Sequence, residues 1–215
     1  VNMKRQDLSR IRTNNSDHLN DWNLFISNGS KNAFSRIYND YFDILYNLGI
    51  KFSTDSQIIE NSIQNLFSYL LKKRERLTPV TNLRSYLIKS FRNQLFKDLK
   101  KQKKLVLPDQ ITDSQFDYYS STEQVIIENE EIAEMQNALK KCLNKLNSKQ
   151  QELIYLRFDC EMSYKEIASI LDITVEACYK SIYRLIKIIK KDIEKADTRS
   201  RNFFLWFIHR LESSL

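Results

Sequence analysis

The chain has 215 residues, of which 42% are hydrophobic and 28% charged, and a net charge of +7. It holds only 2 Gly and 2 Pro, too few for the tight turns of a β-sandwich, a barrel or a Rossmann-type sheet. Gly29 and Gly49 also stand too far apart for a glycine-rich phosphate loop. The composition therefore points to an all-helical basic protein with enough apolar content for a core.

In chain order, residues 1–20 form an N-terminal segment. Asn20 or Asp21 can cap a first helix with Trp22, Phe25 and Ile26 on one face. A second helix starts near Asn32 and buries Phe34, Ile37, Tyr38, Tyr41, Leu45 and Leu48. A third follows Thr54 and Asp55, with Ile59, Ile63, Leu66 and Leu70 at helical spacing. Leu77-Thr78-Pro79 interrupts the pattern, and a fourth helix spans about 82–103 on a stripe of Leu83, Leu87, Phe91 and Leu95. Most of its interspersed cations (Arg84, Lys89, Arg92, Lys97, Lys100) should point outward.

Residues 105–122 carry Pro108, Asp109, Asp113, Ser114, Ser120 and Ser121 and read as a flexible acidic connector. Beyond it, Val125, Ile126, Ile132, Met135 and Leu139 mark a further amphipathic helix. Ser148 can cap the next, which includes Leu153, Ile154 and Leu156. Ser163 can cap a short helix ending at Leu171, and Asp172-Ile173-Thr174 makes a three-residue turn. Thr174 then caps a longer helix carrying Ala177, Tyr179, Ile182, Tyr183, Ile186 and Ile189. A short helix, a tight turn and a longer basic helix form a helix-turn-helix pattern, whose second helix can enter a DNA major groove.

Charge follows the same divisions. Residues 69–104 sum to +10, residues 105–136 to −8 and residues 137–191 to +5, while both ends of the chain are neutral. Two basic bodies joined by an acidic segment suit a polyanion partner. Cys142, Cys160 and Cys178 lack the spacing of a metal or redox motif and read as structural thiols in a reduced, cytoplasmic protein. His18 and His209 belong to no metal or catalytic motif. No nucleophile–base set appears, so the pattern predicts neither an enzyme nor a bound cofactor. The longest apolar run, Phe203 to Ile208, is far short of a membrane span of about 20 residues.

Two stretches together resemble the bacterial sigma factors of the extracytoplasmic-function group. The first runs from Ala33-Phe34 through Tyr38, Tyr41 and Leu45-Tyr46 to Glu60-Asn61-Ser62-Ile63-Gln64-Asn65-Leu66-Phe67, then Asn82-Leu83-Arg84-Ser85-Tyr86-Leu87 and Arg92-Asn93. It looks like the family's region 2. The second holds Leu146-Asn147-Ser148-Lys149-Gln150-Gln151, Leu156-Arg157-Phe158, Ser163-Tyr164-Lys165-Glu166-Ile167-Ala168 and Arg184, and looks like region 4. The resemblance implies a region 2 helical bundle over 21–104, a linker over 105–122 and a region 4 helix-turn-helix domain over 123–191. It also implies a protein that binds core RNA polymerase, places it on promoter DNA and assists strand opening.

The resemblance further implies a set of site residues. Glu60, Asn61, Ile63, Gln64, Asn65 and Phe67 would dock on the clamp helices of the polymerase β′ subunit, with region 4 meeting the β subunit. Arg74, Arg76, Asn82, Arg84 and Tyr86 would read the −10 element, with Lys89, Arg92, Asn93, Lys97 and Lys100 along the backbone. Tyr164, Lys165, Thr174, Glu176, Ala177, Lys180, Ser181 and Arg184 would face the −35 element. Glu176 is a departure from expectation, because it sets negative charge near the DNA-facing helix start.

A tail, 192–215, follows the recognition helix. Phe204, Ile208 and Leu211 share one helical stripe, widened by Phe203, Trp206 and Phe207. Such a surface needs a cover, either its own domain or a partner such as an anti-sigma factor or a DNA-bound recruiter. Two rival readings remain at this level. One is a sigma-derived adaptor with weakened promoter reading, recruited through the tail. The other is a helix-turn-helix regulator that acts without polymerase.

Overall fold

The computed structural model describes residues 15–106, 116–118 and 140–194. Among them the regular structure is helical throughout. The chain divides into two compact units, Val1–Gln115 and Phe116–Leu215.

The first unit packs four helices: α1 (Asn15–Asn28), α2 (Lys31–Gly49), α3 (Ser56–Lys72) and α4 (Leu83–Val106), with a 3-10 turn at Arg74–Arg76. α1 begins well before the expected cap, so Asp21 lies inside it, where its carboxylate takes two hydrogen bonds from the Arg36 guanidinium, one of 2.9 Å from Nε. Ser30 caps α2, Asp55 caps α3 and Asn82 accepts from the Ser85 amide at 2.8 Å, so each chain reversal ends on a side-chain oxygen that satisfies helix-start donors. The predicted stripes meet in the core: Ile59, Ile63, Leu66 and Leu70 of α3 face Leu83, Leu87, Phe91 and Leu95 of α4, all buried. Trp22 and Phe25 are buried as expected, whereas Phe34 and Tyr38 remain half-exposed.

Both glycines are dictated by geometry. Gly29 turns between α1 and α2 at φ +72°, a left-handed conformation that side chains resist. At Gly49 a Cβ would stand 2.5 Å from Ile59 Cγ2, so the end of α2 approaches α3 too closely for any side chain.

The second unit contains residues 140–143 at a helix end, α5 (Ser148–Ile154) running into a π-helical turn at Tyr155–Asp159, α6 (Tyr164–Leu171) and α7 (Val175–Glu194). Asn147, one residue before the expected Ser148, caps α5 in a reciprocal box with Gln150. Ser163 and Glu166 do the same for α6. Asp172 supplies the left-handed turn at φ 53°, which a short polar side chain tolerates. Thr174 Oγ1 then accepts from the Ala177 amide at 3.1 Å, starting α7.

Residues 116–118 fall within the segment expected to be a flexible acidic connector, yet they pack within the second unit. Phe116 is 3% exposed and its ring lies 5.6 Å from that of Tyr155. The Tyr118 amide donates to Gln151 Oε1 at 2.9 Å, and its hydroxyl hydrogen-bonds Asp159. Two aromatic side chains outweigh the acidic composition around them. Residues 107–115 and 119–122 of that connector, the predicted helix over 125–139 and residues 195–215 of the tail lie outside the described residues, while 105–106 continue α4 and 192–194 continue α7.

Candidate nucleic-acid interface

In the first unit, α3 turns its polar face outward. Asn61, Gln64 and Asn65 are exposed and Glu60 is half-buried. Ile63 and Phe67 are in the core. The expectation that these two meet a partner is therefore corrected: they hold the helix in place, and only its polar face is presented. Asn65 is also engaged internally, because its amide donates to Asp98 Oδ2 at 3.3 Å. The same oxygen accepts from Ser62 Oγ at 3.0 Å and Gln94 Nε2 at 2.8 Å, so Asp98 cross-links α3 and α4.

The polar residues singled out on α4 separate into two groups. Lys89, Asn93, Lys97 and Lys100 follow one another at three- and four-residue steps on the face opposite the Leu/Phe stripe. Lys97, Asn93 and Lys100 are exposed and Lys89 half-buried. Arg92 lies over the Phe96 ring at 4.5 Å. Arg84 departs from the outward expectation, being 8% exposed. Its charge opposes the effect of burial, which pushes the neighbouring Tyr41 hydroxyl far up. Arg84 is thus a core cation and not a DNA contact.

The loop before α4 is tied down from both sides. Arg74 donates to the Ile26 carbonyl at 3.0 Å, and Trp22 Nε1 donates to the Thr78 carbonyl at 3.2 Å. Arg74 therefore anchors the loop to α1, Asn82 caps α4, and Arg76 is exposed. Tyr86 is half-buried with its ring 5.4 Å from Trp22. Beside Pro79 an open cleft of 370 Å³ is lined by Asn20, Asn23, Leu24, Ile26 and Ser27.

In the second unit the inward residues of α7 are Cys178, Ile182, Leu185, Ile186 and Ile189. Of the residues expected on the outer face, Lys165, Glu176, Ala177, Lys180 and Arg184 are exposed, Tyr164 and Ser181 are half-buried, and Thr174 is the helix cap. Glu176 and Lys180 pair with each other at 2.6 Å. Tyr179 and Tyr183, read as residues this helix carries alongside Ile182, Ile186 and Ile189, stand outside the inward arc at 48% and 47% exposure, with Val175 beside them. Each tyrosine directly follows an inward residue, about 100° around the helix from it, a spacing that does not fix its side, since the adjacent Leu185 and Ile186 are both buried. Tyr164 of α6 joins this surface, its ring 5.3 Å from that of Tyr179.

Comparison with known proteins fits this geometry. Residues 136–188 match the family model for sigma-70, region 4. Among solved structures, the chain is similar to CnrH in complex with the cytosolic domain of CnrY, at 15% identity and a TM-score of 0.55, covering 84% of this chain and 99% of that one. It is also similar to the sigma factor RpoE in complex with the anti-sigma factor NepR from Bartonella quintana, at 17% identity and a TM-score of 0.53, covering 76% and 98%. No curated protein matches it by sequence. Residues 136–188 of the second unit are thus similar to sigma-70 region 4, and the chain as a whole shares the fold of these two solved structures. Among the described residues, no helix is long and apolar enough to cross a membrane.

Proposed function

With a sigma-70 region 4 domain in its second unit, we propose that this chain is an extracytoplasmic-function sigma factor that binds core RNA polymerase in the cytoplasm and directs it to promoters. The exposed polar face of α3, chiefly Asn61 and Gln64, docks on the clamp helices of the β′ subunit, and region 4 meets the β subunit. The strip of Lys89, Asn93, Lys97 and Lys100 follows phosphates at the −10 element. The cleft beside Pro79, with Arg76 and Tyr86 nearby in sequence, takes an unstacked base when the strands part. Region 4 sets α7 in the major groove at the −35 element, with Lys165 and Arg184 on the backbone. By analogy with CnrH and RpoE, whose structures hold CnrY and the anti-sigma factor NepR, an anti-sigma partner controls access to these surfaces.

The observation that carries this reading is the pairing, in one chain, of a matched region 4 domain with a four-helix unit whose last helix has a cationic outer strip. The test is co-purification of the chain with core polymerase, followed by mapping of the transcription starts that the complex uses. A one-to-one complex with new starts is expected, and Gln64→Ala combined with Asn61→Ala should weaken it. Absence of a complex would reject the reading.

A further inference from the structure

The outer surface of region 4 carries a row of ring and cation contacts. At its inner end Arg157 is buried, donates to the Met162 carbonyl at 2.9 Å, and lies 4.9 Å from the Tyr164 ring. Tyr164 meets Tyr179 at 5.3 Å, and Tyr179 stacks on Tyr183 at 6.5 Å with an angle of 8° between the rings. Lys187 Nζ closes the stack 4.7 Å from the Tyr183 ring. The rings are thus held in one row, with their orientation fixed from the core outward.

Single exposed aromatics need no explanation, but a contiguous apolar patch does. This one lies on the helix that a helix-turn-helix unit inserts into DNA, and Lys165, Arg184 and Lys187 are exposed around it. Those cations match a polyanion, whereas an apolar protein partner would have to strip them of water. Val175, Tyr179 and Tyr183 also follow one another at four-residue steps from the first turn, the end that reaches base edges first. The polar residues expected to read bases there, Glu176 and Lys180, are occupied with each other.

We propose that this tyrosine row is the base-reading edge of the second unit and that it recognises thymine methyl groups in the major groove. The 5-methyl of thymine is the one apolar feature that the groove presents, and small apolar or aromatic side chains meet it. The proposal rests on the promoter-binding reading above and adds the chemistry by which the upstream element is read.

The full chain bound to core polymerase can be offered a duplex library randomised upstream of a fixed start region. The enriched element is then remade with deoxyuridine in place of thymidine, which removes the methyl and keeps the base pairing. The expected result is an enriched upstream element containing thymines, with affinity falling about fourfold for each contacted methyl removed, the change associated with one buried carbon. Tyr179→Ala should narrow the difference between the two duplexes, Tyr179→Phe should keep it, and Arg184→Ala should weaken both equally. An enriched element that lacks thymine, or equal binding of both duplexes by the unaltered chain, would overturn the inference while leaving DNA reading by region 4 intact. So would a Tyr179→Ala variant that selects the same DNA but loses a protein contact. No upstream enrichment at all would instead strike the promoter-binding reading and this inference with it.

Discussion

Cys178 has no exposed surface, and burial pushes its thiol up to about 11. A thiol is reactive only as the thiolate, so Cys178 should resist alkylation by iodoacetamide at pH 8 and react once the unit is unfolded, as read by mass spectrometry. The fold favours the neutral thiol, so this contribution to stability is complete below the ordinary thiol value near 9 and is lost as pH rises through about 11. Asp98 shows the opposite economy, in which one carboxylate oxygen satisfies Ser62, Asn65 and Gln94. Ser62 is fully buried, so Asp98→Ala strands its hydroxyl and should cost about 2 kcal/mol in urea unfolding. Asp98→Asn, which still accepts hydrogen bonds, should recover part of that loss.

At the scale of elements, most boundaries were legible because they are written in capping chemistry. Asp55, Ser163 and Thr174 cap the helices expected of them. Spacing alone could not fix the phase of residues that border a stripe. Tyr179 and Tyr183 neighbour inward residues, and aromatic character made them resemble core, but the inward arc of α7 was already filled by Cys178, Ile182 and Ile186. Ile63 and Phe67 failed in the other direction: a motif that implies docking also contains the residues that anchor its helix. Arg84 was misplaced because charge predicts exposure only on average, and here Tyr41 and the helix packing enclose it. The ion pair on α7 yields a prediction at this scale. Glu176→Gln removes a carboxylate near the DNA-facing helix start and releases Lys180. The variant should bind duplex DNA more tightly, with a salt dependence steeper by about one phosphate contact in a titration against potassium chloride.

At the scale of the whole molecule, charge made two basic blocks readable, one lying within the first unit and one within the second. The junction was not, because composition hides a short aromatic docking segment inside an acidic stretch. Phe116 is buried and packs at a tilt against the Tyr155 ring. Phe116→Ala should therefore destabilise the second unit by about 3 kcal/mol and leave the first unchanged. Hydrogen exchange on the full chain can read both units separately.

The most direct test of this account is run-off transcription with purified core polymerase on a linear template carrying a mapped start. Addition of the chain should produce a discrete transcript that core polymerase alone does not make. Combined neutralisation of Lys97 and Lys100 should suppress that transcript while the polymerase complex persists. A chain that binds polymerase yet yields no template-specific transcript, or a transcript indifferent to both substitutions, would contradict it.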